Sequence, residues 1–155
     1  MEQLIQSTSY EVAHIKLSYQ QHQHLSERPV ICKSADAYTI LLETWDKELI
    51  EYIEQFKVLL LDIKNRVLGL YHLSTGGTSQ TVVDPKVIFT AAILANAKSI
   101  ILAHNHPSGA LIPSGNDKGL TSKLKAGAGY LDLTIDDHII LNSTTYLSMA
   151  DHGYM

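Results

Sequence analysis

Residues 99–109 read Ser99-Ile-Ile-Leu-Ala-His-Asn-His-Pro-Ser-Gly109, and this stretch decides the fold. Ser99 to Ala103 is short and continuously apolar, as befits a central strand covered on both faces. His104 and His106 stand two residues apart at the end of that strand, so both imidazoles project to the same side. Pro107 turns the chain, and a loop with Gly109 and Pro113 leads to Ser114, the expected N-cap of a helix reaching about Ala128. Asp117 then falls near the third helical residue, with its carboxylate directed back toward the cap and the strand end. Two imidazoles and one carboxylate form a three-ligand set with a fourth position open to water, the arrangement of catalytic zinc. Zinc so held can lower the pKa of water to about 7 and polarise a carbonyl. The competing reading is plain: two histidines near a turn are often only polar residues at a strand mouth, and spacing alone does not separate the two.

Outward from this stretch, Asp84 caps a largely apolar helix with Pro85 at its first position, where a missing N–H costs nothing. Upstream, the apolar run Val58 to Leu61, the turn Asp62 to Arg66 and the run Val67 to Leu73 predict a hairpin. Ser34 is expected to open a helix whose apolar stripe is Ala37, Leu41, Trp45, Leu49 and Ile53, with Ile40 beside it. Downstream, Leu131 to Leu141 and Tyr146 to Met149 supply the last strands. The order of helix, hairpin, helix, strand, helix and strands implies an α/β sandwich, a mixed sheet with helices on both sides. Residues 1–33 are read as an arm and linker, with a short strand at Val12, Ile15 and Leu17 and a polar tract after Gln20; residues 34–155 form the domain.

The 155 residues carry a formal net charge of −4, which disfavours a phosphate-binding domain. Cys32 is the sole cysteine, so neither an internal disulfide nor a cysteine-based zinc site can form. The N-terminus lacks the basic and apolar regions of a signal peptide, and no apolar run nears the ~20 residues of a membrane span. A cytoplasmic location is expected. Among other candidates, His22 and His24 lie in a polar stretch with no placed carboxylate, and a solvated linker is the better reading. Gly76-Gly77 can cradle an anion through backbone amides, but it lacks the lysine and spacing of a P-loop, and a tight turn is the default. His138 on a strand is either a satisfied core histidine or a partner that orients a metal ligand. A zinc deaminase is excluded by the single cysteine, and no Gly-x-Ser-x-Gly elbow supports a serine hydrolase.

The pattern His104-x-His106, seven residues, Ser114, two residues, Asp117 resembles the JAB/JAMM metalloprotease-like domain, and its surroundings resemble the bacterial RadC branch. The likeness runs from about residue 34 to the end. It takes in the hairpin around Asn65, the segment Thr81-Val-Val-Asp-Pro-Lys86 and the Asp137-His138 strand. It implies a three-layer α/β/α sandwich like that of cytidine deaminases, with Zn2+ held by His104, His106 and Asp117 and the oxyanion of a tetrahedral intermediate supported by Ser114. It further implies a hydrolase acting on a peptide, isopeptide or other amide bond.

Members of that family place a glutamate on the strand of the first hairpin as a proton carrier. In this sequence the corresponding position is read as His72, and no acidic residue lies between Asp62 and Asp84. His72 can then serve as general base, close the site as a fourth ligand, or mark a degenerate scaffold. The alternative to a hydrolase is a weakened module that binds a protein or nucleic-acid partner, in keeping with the DNA-repair name of the RadC branch and its frequency on mobile elements. The net charge, and a residue 1–33 segment too short for a helix-hairpin-helix region, argue against strong DNA binding. A nuclease at the same metal ranks lower, since many nucleases clamp two metals.

Overall fold

A computed structural model describes residues 24–155 together with residues 13, 18 and 19. The strand expected at Val12, Ile15 and Leu17 and the residue His22 lie outside them. After a 3₁₀ turn at Leu25–Glu27, the elements are α1 (Ser34–Thr44), β1 (Gln55–Leu61), β2 (Val67–Thr75), α2 (Pro85–Leu94), β3 (Ser99–Asn105), α3 (Gly115–Gly129), β4 (Thr134–Leu141) and β5 (Tyr146–Ser148). The five strands form one sheet in the order β2-β1-β3-β4-β5. β3 and β4 are parallel and the other pairs antiparallel, so the sheet is mixed.

Alternation along the strands sorts side chains between two cores. Leu59, Leu61, Ile101, Ala103, Ile139 and Leu141 face Ala37 and Leu41 of α1. Phe56, Val58, Leu60, Ile100 and Leu102 face Ile88 and Ala92 of α2 and Leu124 and Ala128 of α3. The result is the expected three-layer α/β/α sandwich. β1 and β3 are buried along their whole length, which is why Val58–Leu61 and Ile100–Ala103 run continuously apolar.

Two local expectations are corrected. The stripe that predicts a helix from Ser34 through Ile53 is split. α1 ends at Thr44, Trp45 is extended, and Asp46 starts a new turn by accepting the Glu48 N–H at 3.0 Å. Trp45 and Ile50 still reach the same core, so the burial periodicity survives the break. Nor does Ser34 cap α1. Asp36 instead accepts the N–H groups of Cys32 and Lys33 at 2.8 and 3.0 Å, while the Ser34 hydroxyl reaches the Asp151 carboxylate and the Tyr146 hydroxyl. Residues 28–33 pack into the fold: Val30 bridges Arg66, and Arg28 and Ile31 are buried.

Candidate metal centre

The site lies where β3 leaves the sheet beneath the N-terminus of α3. His104 faces the α2/α3 side, and Phe56 of β1, its cross-strand partner, stacks on it with ring centroids 5.9 Å apart and planes 4° from parallel. His106 follows β3 on the same side, its Nε2 2.9 Å from the Nε2 of His104.

Asp117 is delivered by the capping of α3. Ser114 is the N-cap and Asp117 the third helical residue, and each satisfies the other. The Ser114 Oγ accepts the Asp117 N–H at 3.1 Å, and Asp117 Oδ2 accepts the Ser114 N–H and hydroxyl at 2.7 and 2.6 Å. This holds the carboxylate over the strand end, with Oδ1 3.3 Å from His104 Nε2 and Oδ2 3.8 Å from His106 Nε2. Donor atoms of His104, His106 and Asp117 lie within 4.8 Å of one another.

The donor set fits a divalent cation. The His106 Nδ1 is 2.7 Å from the Ala110 carbonyl, which can only accept. Nδ1 therefore carries a proton, which makes Nε2 the nitrogen that can present a lone pair to a metal. A carboxylate and an imidazole lone pair aimed at one point suit a metal better than any neutral group. His104 is wholly buried. Burial drives its pKa down to about 4, against the pull of Asp117 and with a small push from His106, so the ring is neutral at pH 7 as a ligand must be.

Behind His104 stands His138 on β4, fully buried, its Nε2 2.8 Å from His104 Nδ1. Its Nδ1 is 2.7 Å from the Thr121 hydroxyl of α3, which also lies 2.7 Å from the Asp117 carbonyl.

His72 does not join this group. It is the cross-strand partner of Lys57, and such partners share a face of the sheet. Lys57 points to the α1 side, with its Nζ donating to the Thr44 carbonyl at 2.9 Å and lying over the Trp45 ring. His72 is thus turned away from His104, its Nε2 2.8 Å from the Thr75 hydroxyl. The expectation that His72 acts as base or fourth ligand is corrected on this ground: its register parity puts it on the wrong face.

Glu54 occupies the cleft in its place. It immediately precedes β1, and continuing the antiparallel register from Phe56 and His104 sets it opposite His106. Its backbone is clamped by the glycine loop: the Glu54 N–H donates to the Gly77 carbonyl at 2.9 Å, and the Gly76 N–H donates to the Glu54 carbonyl at 2.8 Å. A side chain at Gly76 would put its Cβ 2.1 Å from the Gln80 carbonyl oxygen, so this close approach requires glycine. Burial raises the Glu54 pKa, with Asp117 adding to the rise and His106 and the Thr81 N–H opposing it. The sequence holds a carboxylate one residue before the first strand of the hairpin, but its place opposite His106 follows from the register of β1 against β3.

Glu54, Phe56, His104, His106, Ser114 and Asp117 share a cleft of about 380 Å³, closed on one side by Ser79, Gln80, Thr81 and Val83 and on the other by Asn116 and Leu120. No lysine or arginine is among these lining residues.

A sandwich of this topology with two histidines and an aspartate at the strand-to-helix junction defines the JAB class of domain. Residues 31–154 match the RadC-like JAB domain, and the chain belongs to that family. It is 40% identical over 125 residues to a UPF0758 protein of Flavobacterium johnsoniae, covering 79% of this chain and 52% of that protein. It is 38% identical over 135 residues to a UPF0758 protein of Salinibacter ruber, covering 86% and 55%. A UPF0758 protein of Finegoldia magna is 44% identical over 102 residues, covering 66% and 46%. The chain thus spans about half the length of the curated relatives it matches. No helix among the described residues is long and apolar enough to cross a membrane.

Proposed function

We propose that this domain is a zinc-dependent hydrolase of an amide-type bond, peptide or isopeptide, with Glu54 as its proton carrier. The observation that carries this reading is the convergence of Glu54 with His104, His106 and Asp117 in one cleft. His104, His106 and Asp117 would hold the metal. When bound, zinc supplies Lewis acidity, polarising a carbonyl and making water a better nucleophile near neutral pH.

The chain's own groups supply the remaining chemistry. Glu54 sits in a partly desolvated position that raises its pKa toward the range useful for proton transfer, so it can accept a proton from water and return it to the leaving nitrogen. Ser114 is placed to donate to an oxyanion once its hydroxyl turns from Asp117 Oδ2; the Ser114 N–H keeps that oxygen satisfied meanwhile. Phe56, Val83 and Leu120 supply the apolar part of the cleft wall.

The lining favours an amide over a phosphodiester. A cleft without lysine or arginine leaves the metal as the sole cation among its lining groups to neutralise phosphates. The reading of a weakened binding module drew on the missing carboxylate as well as on the DNA-repair name of the RadC branch, and Glu54 answers the first of these grounds.

The test combines metal analysis with hydrolysis of a panel of fluorogenic peptides and isopeptide-linked conjugates. The expected result is about one zinc per chain and cleavage abolished by chelation, by His104→Ala and by Glu54→Gln, the last with zinc retained. Zinc-loaded protein that cleaves nothing, or a Glu54→Gln variant as active as the wild type, would overturn the assignment.

A further inference from the structure

We infer that Thr121 and His138 are positioning residues: a one-way chain of hydrogen bonds, begun at the Asp117 carbonyl, fixes which nitrogen of His104 is free to bind a metal. The inference rests on the metal reading above and adds a cause for the readiness of the ligand.

The direction of the chain follows from counting protons. The Asp117 backbone carbonyl can only accept, and the Thr121 Oγ lies 2.7 Å from it. The single hydroxyl proton of Thr121 must occupy that bond, since two bare oxygens at this distance repel. Among the described residues the only other acceptor near the hydroxyl, His138 aside, is the Met149 thioether at 4.0 Å, far weaker. Thr121 Oγ therefore has only lone pairs to offer His138 Nδ1, 2.7 Å away, so Nδ1 must be the protonated nitrogen. His138 is fully buried with no carboxylate bonded to its ring nitrogens, so it is neutral and its Nε2 is bare. At 2.8 Å from that lone pair, His104 Nδ1 must donate. The Nε2 of His104 is left unprotonated, turned toward His106 and Asp117.

Metal-ligating histidines commonly donate their second N–H to a carboxylate, carbonyl or water. Here the acceptor is a second neutral histidine, which has no preferred direction of its own and takes one from Thr121. The chain also closes on itself. It starts on the backbone of Asp117 and ends at a nitrogen 3.3 Å from the same residue's Oδ1, so helix α3 both supplies one ligand and orients another. With a proton of His106 held on Nδ1 by the Ala110 carbonyl, the Nε2 atoms of the two rings face each other 2.9 Å apart, where a cation would sit between them.

The experiment is long-range proton–nitrogen NMR on metal-free protein with 15N-labelled histidine, beside zinc affinity measured by competition with a chromophoric chelator. In the wild type, His104 and His138 are expected to be neutral and protonated on Nδ1. Thr121→Val keeps the shape but removes the hydroxyl. It should redistribute protons onto Nε2 of both rings and weaken zinc by roughly 10–100-fold, and Thr121→Ser should restore both. Protonation of His104 on Nε2 in a wild-type chain that binds zinc overturns the relay and leaves the metal reading intact. So does a Thr121→Val variant with unchanged tautomers. A wild-type chain with Nδ1 protonated on both rings that binds no zinc supports the relay and overturns the metal reading.

Discussion

The side chain of Asn105 accepts the backbone N–H of Gln55 at 2.7 Å, bolting the strand that carries both histidines to the residue next to Glu54. The same side chain donates to the carbonyls of Ile50 and Ile53 at 2.7 and 2.9 Å, and it is fully buried. The residue between the two histidines thus points to the opposite face and helps set the position of the carboxylate that shares their cleft. One strand end delivers ligands on one side and a clamp on the other.

Asn105→Ala should therefore injure stability and activity together. It leaves the Gln55 N–H and two carbonyls without partners, and a buried group so stranded costs about 1–3 kcal/mol. A loss of roughly 3 kcal/mol is expected, with kcat falling more than zinc content because Glu54 moves while His104 and His106 stay in place. Urea denaturation and metal analysis of the same preparation measure both. Asn105→Asp should be worse, since it turns a buried negative charge on two carbonyl oxygens.

Glu54→Gln should separate function from stability. The folded-state pKa of Glu54 is raised, chiefly by burial, so the fold holds this proton more tightly than the unfolded chain does. Its contribution to stability is present at low pH and is lost as pH rises through the window from 4.5 to the raised value; above that window, ionised Glu54 destabilises the fold. Glutamine removes the charge and keeps an acceptor for the Thr81 N–H. Metal-free Glu54→Gln is expected to melt at or above the wild-type temperature at pH 7.5, an advantage that vanishes below pH 4.5, while kcat/KM drops by roughly 10²–10⁴. A lower melting temperature at pH 7.5 would contradict the buried-charge account.

His72 gives the opposite expectation. It faces Lys57 on the α1 side, so His72→Ala should leave zinc affinity and kcat/KM within about twofold of wild type, a surface change of at most ~0.5 kcal/mol. His72→Glu should likewise leave zinc content unchanged. Loss of zinc from either variant would return His72 to the site.

Much of the fold could be read from local patterns because those patterns are causes. The apolar run at Ser99 to Ala103, the Ser114 cap and the Asp84-Pro85 start each dictate backbone geometry within a few residues. The His104, His106 and Asp117 cluster was legible for the same reason: strand parity and a capping box place its members. Glu54 was not, because its place depends on which residue of β1 pairs with which residue of β3. That register is set by the whole core rather than by any local signal. The break of the first helix at Trp45 was hidden similarly. Burial periodicity continues through it, and only Asn105, distant in sequence, explains why the Ile50 and Ile53 carbonyls sit outside a helix.

Acid should weaken the metal-free protein through the buried histidines. Burial lowers the pKa of His104 to about 4 and that of His138 well below its usual 6.5, while both take ordinary values once unfolded. Below pH 6.5 the unfolded chain binds more protons than the fold, so stability rises with pH up to about 6.5 and is lost as pH falls from there toward 4. In chelator, the melting temperature should be level between pH 7 and 8 and then decline steeply toward pH 5. Zinc should raise it at pH 7.5 by mass action on the folded state. That gain should shrink in acid, because protons compete for the same imidazole lone pairs. Thermal denaturation across pH 5–8, with chelator and with excess zinc, reads both effects. A metal-free melting temperature that stays flat down to pH 5 would mean that His104 and His138 are not held neutral in the fold. A zinc-induced gain that persists undiminished at pH 5 would place the metal on groups other than His104, His106 and Asp117.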